Sequence, residues 1–167
     1  FFIVAGASAA FLWQGKRSAD LLAQAAAEVG MVFCTLVLLT GPIWARPIWG
    51  VWWTWDPRLT MTLVLWLIYA AYVLLRVFAG DTETVARYAA VLGIIGVIDI
   101  PILYIAIRLW RGIHPKVEQM APEMAGTLLV CTGAFVCLFT WLLWLRLQSL
   151  HLRNDIIALR QHILVSL

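Results

Sequence analysis

The 167-residue chain is 63% hydrophobic and only 13% charged, with a formal net charge of +3. A soluble domain carries about 25% charged residues, and a mean hydropathy of +0.91 means more apolar surface than one soluble core of this size can hide. The composition excludes a soluble fold and places the chain in lipid; its basic residues are not clustered into a nucleic-acid footprint.

A membrane helix needs about 17–25 largely apolar residues, so uncharged runs locate the elements in chain order. The first run, 1–15, opens without a methionine and reads as a truncated span. No basic region or small-residue cleavage site marks it as a signal peptide. The second run is 29–45; Gly41-Pro42 is expected to stop its helix, and Arg46-Pro47 to keep the following chain extended. A loop over 44–60 follows. Within it Asp56-Pro57 predicts an N-cap and a proline at the first helical position, opening the third run, 59–75.

The fourth run, 88–107, contains Asp99 near its middle, where a charged acid costs at least about 2.5–3.5 kcal/mol. Pro101 removes a backbone hydrogen bond and bends the helix. Asp99 either satisfies groups exposed by that bend or serves a polar path or a ligand cavity. After a second loop, 108–123, the run 124–145 is the longest. In 148–167, Leu152, Ile156, Leu159 and Ile163 recur at spacings of four and three, with Arg153, Asp155, Arg160 and Gln161 on other faces. That pattern is an amphipathic helix, lying on the membrane surface or packing on a protein.

The expected fold class is therefore all-α: a polytopic integral membrane helical bundle with five spans, the first truncated, and a C-terminal amphipathic helix. Residues 1–147 make the bundle and 148–167 the tail. Lys16, Arg17, Arg76, Arg87, Arg146, Arg153 and Arg160 gather on one side; Arg46, Arg58, Arg108, Arg111 and Lys116 gather on the other. The larger set is expected to face the cytoplasm, which puts loops 44–60 and 108–123 outside. Cations on the external side invite an anionic ligand.

Loop 44–60 carries the most informative run, Trp49-Gly50-Val51-Trp52-Trp53-Thr54-Trp55-Asp56-Pro57-Arg58-Leu59-Thr60. Indoles suit the boundary between lipid and water and also offer a platform to a broad aromatic ligand. Arg46 and Arg58 bracket them and are able to pair with carboxylates or with lipid headgroups. His114 lies in the second external loop beside Trp110, Arg111 and Lys116, whereas His151 and His162 fall in the tail. Cys34, Cys131 and Cys137 lack any C-x-x-C spacing. No P-loop is present, so nucleotide energy is expected from a partner and no enzymatic site is assigned.

The W-G-x-W-W-x-W-D-x-R-L-T pattern resembles the "WWD" signature of cytochrome c maturation, and the chain is most similar to the CcmC family of haem-handling proteins. Asp99-Ile100-Pro101 matches the family's Asn/Asp-x-Pro element, Trp110 part of its later tryptophan-rich stretch, and His114 its ligand histidine. Leu109-Trp110 and His114-Pro115 depart from the family's usual Trp-Trp and His-Gln. The resemblance implies non-covalent haem b held at the external face, with iron ligated by His114 and by a second histidine upstream of Phe1. Trp49, Trp52, Trp53, Trp55, Asp56 and Trp110 would shape the haem site, and Arg46, Arg58, Arg111 or Lys116 would meet the propionates. Haem suits this inventory physically: the disc stacks on indoles, the propionates attract cations and the iron takes imidazole. The resemblance also implies a bacterial or organellar inner-membrane location, delivery to the haem chaperone CcmE, and the transporter subunits CcmA, CcmB and CcmD as partners. A CcsA-type haem lyase or cytochrome c synthase component and a non-haem membrane scaffold remain as alternatives.

Overall fold

The computed structural model describes residues 1–109, 112, 114 and 121–165, and every described element is helical. The helices are α1 (Phe2–Gln14), α2 (Arg17–Trp49), α3 (Pro57–Phe78), α4 (Glu83–Leu109) and α5 (Pro122–Val165). The last four are long and apolar enough to cross a membrane; α1, with 13 residues, is shorter. The chain is an all-α polytopic membrane protein. It divides into two compact units, Phe1–Val117 with α1 to α4, and Glu118–Leu167 with α5.

In the first unit α1 and α3 each pack on both α2 and α4. The core is built from small side chains: Ala23, Ala25, Ala26 and Ala27 on α2 face inward, as do Ala86, Ala89, Ala90, Gly93 and Gly96 on α4. Large apolar residues such as Trp13, Leu67 and Phe78 point outward. This inverts a soluble core, because lipid is as apolar as leucine and helices gain by close backbone approach instead. Tyr69 of α3 fills the space over Gly96, and its hydroxyl donates to the Gly93 carbonyl at 3.1 Å. Phe1 stacks on the same tyrosine at 4.0 Å between centroids. Trp66 Nε1 of α3 donates to Thr35 Oγ1 of α2 at 2.8 Å.

Two sequence expectations fail on α2. The helix does not stop at Gly41-Pro42, and Arg46-Pro47 is not extended; α2 runs through both prolines to Trp49. Each proline removes one amide hydrogen, but ending the helix within lipid would free several backbone groups at once, so continuation is the cheaper state. Gly50, at φ 75°, then closes the helix with its N–H on the Arg46 carbonyl at 3.0 Å. The irregular stretch between α2 and α3 shrinks from the expected 44–60 to 50–56. α4 likewise passes through Pro101, with Asp99 buried.

At the opposite end a charged cluster joins three elements. Arg76 near the end of α3 binds both carboxylate oxygens of Asp20 on α2, with Nη1 at 3.1 Å from Oδ2. Arg17 Nη1 meets Asp20 at 2.6 Å, and Arg17 also pairs with Asp81 in the turn before α4. The Arg76 side chain is 4% exposed and that of Asp20 1%, so this pair is buried within the bundle.

In the second unit, α5 is one continuous helix of 44 residues. Within the described residues, 148–165 of the expected tail are helical and continue the last apolar run without a break.

Candidate functional site

The tryptophan run is organised by its two flanking helices. Trp49 belongs to the last turn of α2, where its ring meets that of Trp44 edge-on at 4.9 Å. Asp56 caps α3 as predicted: Oδ1 accepts from the Arg58 N–H at 2.8 Å, and Pro57 occupies the first helical position. Between these anchors Trp53 and Trp55 pack edge-on at 5.9 Å. Trp52 and Trp55 remain 57% and 67% exposed, so their faces are open to a ligand or to lipid.

Arg46, one turn before the end of α2, reaches over the irregular stretch. Its Nη1 donates to the Gly50 carbonyl, and its guanidinium lies 5.9 Å from the centre of the Trp52 ring. Stacking of this kind leaves the remaining guanidinium edge free to meet an anion. Arg58 is half-buried at the second position of α3.

His114 comes to the same place from beyond α4. Its ring packs edge-on against Trp49, with 4.8 Å between centroids, and its Nδ1 lies 3.2 Å from Asp56 Oδ1. Gly112 makes this approach possible, since a Cβ there would overlap Asp56 Oδ2. Asp56 is 5% exposed; it faces the helix start and His114. The structure therefore brings Trp49, Asp56 and His114 together and sets Arg46 over Trp52. Trp110, Arg111 and Lys116 lie outside the described residues. His151 is exposed on α5, in the other unit, and the side chain of His162 is likewise outside the description.

Sequence reasoning missed the part Gly112 plays, although a glycine two positions before a singled-out histidine is a usable signal. It also assigned Arg17 and Arg76 only to a membrane face, without their carboxylate partners.

Membrane-length apolar helices closing on a tryptophan-lined end, with a carboxylate, an imidazole and a guanidinium among the indoles, define a polytopic membrane protein with an amphiphilic aromatic site. Comparison with known proteins gives the family. The family model described as Heme exporter protein C, CcmC, matches residues 1–162. The chain is similar to Heme exporter protein C of Bradyrhizobium diazoefficiens, 38% identical over 154 residues, covering 85% of this chain and 55% of that one. For Heme exporter protein C of Haemophilus influenzae the identity is 35% over 153 residues, with 87% and 62% covered. For that of Escherichia coli K12 it is 35% over 151 residues, with 86% and 61% covered. The chain belongs to the CcmC family, and it spans 55–62% of the length of these relatives.

Proposed function

We propose that this chain handles haem for cytochrome c maturation, holding haem b at its tryptophan end and presenting it to the haem chaperone CcmE. The observation that carries this reading is the meeting of His114 with Trp49 and Asp56, 4.8 Å between rings and 3.2 Å between ring nitrogen and carboxylate. An axial imidazole beside indole surface is what a non-covalent porphyrin needs. Trp52, Trp53 and Trp55 would lie against the disc, His114 would take the iron, and Arg46 and Arg58, with Arg111 and Lys116, would meet the propionates. Asp56 and Trp110 complete the proposed set. The family supports a transporter complex as its setting, and CcmA, CcmB and CcmD are the partners proposed for it. The tryptophan end would face the periplasm of a bacterial inner membrane, or the equivalent organellar side, with the C-terminus cytoplasmic.

The test is the absorption spectrum of detergent-purified protein loaded with haem. His114→Ala is expected to alter the Soret band and lower haem retention, while His151→Ala and His162→Ala leave both unchanged. Identical spectra for wild type and His114→Ala at equal loading would falsify the ligand assignment.

A further inference from the structure

We infer that Asp56 is a positioning residue for His114: its carboxylate holds the ring in the Nδ1–H tautomer and leaves Nε2 as the nitrogen that faces a ligand. The purpose of this arrangement rests on the haem reading above; the pairing itself belongs to the ligand-free chain.

Asp56 is fixed before His114 arrives. Its Oδ1 is tied to the first turn of α3 through the Arg58 N–H at 2.8 Å, and proline follows it in the chain. Little freedom remains for a short side chain that is 2% exposed. His114 Nδ1 sits 3.2 Å from that same Oδ1 and is closed off from solvent. Among the described residues Nδ1 has no aligned hydrogen bond, and Asp56 Oδ1 is the acceptor set against it. The 3.2 Å approach to Asp56 Oδ1 is close enough for a donor but is not aligned as a hydrogen bond in this conformation.

A nitrogen lone pair and a carboxylate oxygen at this distance repel each other, so the approach is favourable only with a proton on Nδ1. In a neutral imidazole one nitrogen donates and the other accepts. A proton held on Nδ1 therefore places the free lone pair on Nε2. The edge of Trp49, inclined at 74° to the imidazole, restricts the ring from turning over. Gly112 completes the device, because any side chain there would collide with Asp56 Oδ2 and push the carboxylate off the histidine. The acid of the tryptophan run thus acts through the histidine of the second loop, joining two segments far apart in sequence. Carboxylates that receive the distal N–H of a ligand histidine fix its orientation and raise its basicity, and their loss costs roughly 10–100-fold in metal affinity.

The decisive measurement needs no haem. With ring-15N histidine incorporated into the full chain in detergent micelles at mildly alkaline pH, proton–nitrogen correlation spectra report the tautomer of His114, assigned by its disappearance in His114→Gln. The wild type is expected to show Nδ1–H. Asp56→Ser retains a good helix cap but neither the charge nor the reach, and is expected to return His114 to the Nε2–H form that free imidazole side chains prefer. A wild-type ring carrying its proton on Nε2, or a tautomer unchanged in Asp56→Ser, overturns the inference. The wild-type spectrum decides even if the variant does not fold.

In the haem-loaded protein, Asp56→Ser is expected to raise the midpoint potential by about 59 mV, a tenfold shift toward ferrous iron in a one-electron couple. A purely structural cap would leave that potential in place. The two readings separate cleanly. The expected tautomers with a haem spectrum indifferent to His114→Ala would end the ligand assignment and leave the pairing. An unresponsive tautomer with a spectrum abolished by His114→Ala would do the reverse.

Discussion

Trp52 and Trp55, more than half exposed on an otherwise ordered turn, are either membrane anchors or one wall of a ligand site, and the two roles have different signatures. Stacking on an aromatic side chain is worth about 1–3 kcal/mol per base in nucleic-acid complexes, a scale that a porphyrin should reach or exceed. Replacing Trp52, Trp53 and Trp55 together by alanine is expected to lower haem occupancy at least tenfold while insertion continues, as read by pigment content per purified protein. Unchanged occupancy would return them to anchoring. At this scale the sequence was legible where the interaction was local. Asp56 capping its own helix follows from Asp-Pro alone, because donor and acceptor are two residues apart. That the same carboxylate meets His114 required α3 and α4 to be folded first, since no spacing rule connects the two positions.

Helix existence followed from apolar runs and the start of α3 from Asp-Pro, but the end of α2 did not. The expected second run ends at 45, yet α2 continues to Trp49: a helix broken in water has solvent to satisfy its freed groups, whereas lipid offers none. The interior stripe of α4 was equally hard to see. Its alanines and glycines read as filler in a hydropathy profile, although they set how closely helices approach. At Gly96 an added Cβ would stand 2.6 Å from Tyr69 Cε2. Gly96→Ala is therefore expected to cost about 1–3 kcal/mol, the usual range for overpacking, measured as a lowered unfolding midpoint in detergent. The buried charges at the other end respond to a different change. Removing one partner from such a pair strands the other, at about 3–5 kcal/mol, so Asp20→Ala should destabilise the bundle more than Gly96→Ala does. Exchanging both, with Asp20→Leu and Arg76→Met, should recover much of that loss in the same unfolding assay. A double variant no better than Asp20→Ala would show that the cluster does more than satisfy itself.

At the scale of the whole molecule, sidedness is the testable property. Three membrane-length helices follow the tryptophan turn, so an odd number of crossings is expected to separate Thr54 from the C-terminus. A cysteine introduced at Thr54 should react with an impermeant thiol reagent from outside, and a reporter fused after Leu167 should be active only in the cytoplasm. Both on one side would rule out an odd number of crossings, and the two locations exchanged would reverse the topology.

The unbroken passage of α2 through Pro42 and Pro47 has a mechanical consequence. A helix lacking two amide hydrogens near one end has fewer ladder bonds there and bends more easily, and Trp49 rides on that end. Its other end is riveted by Asp20 and Arg17 to Arg76 and Asp81. The helix is thus pinned by charge at one end and least restrained by backbone hydrogen bonds at the end that carries Trp49.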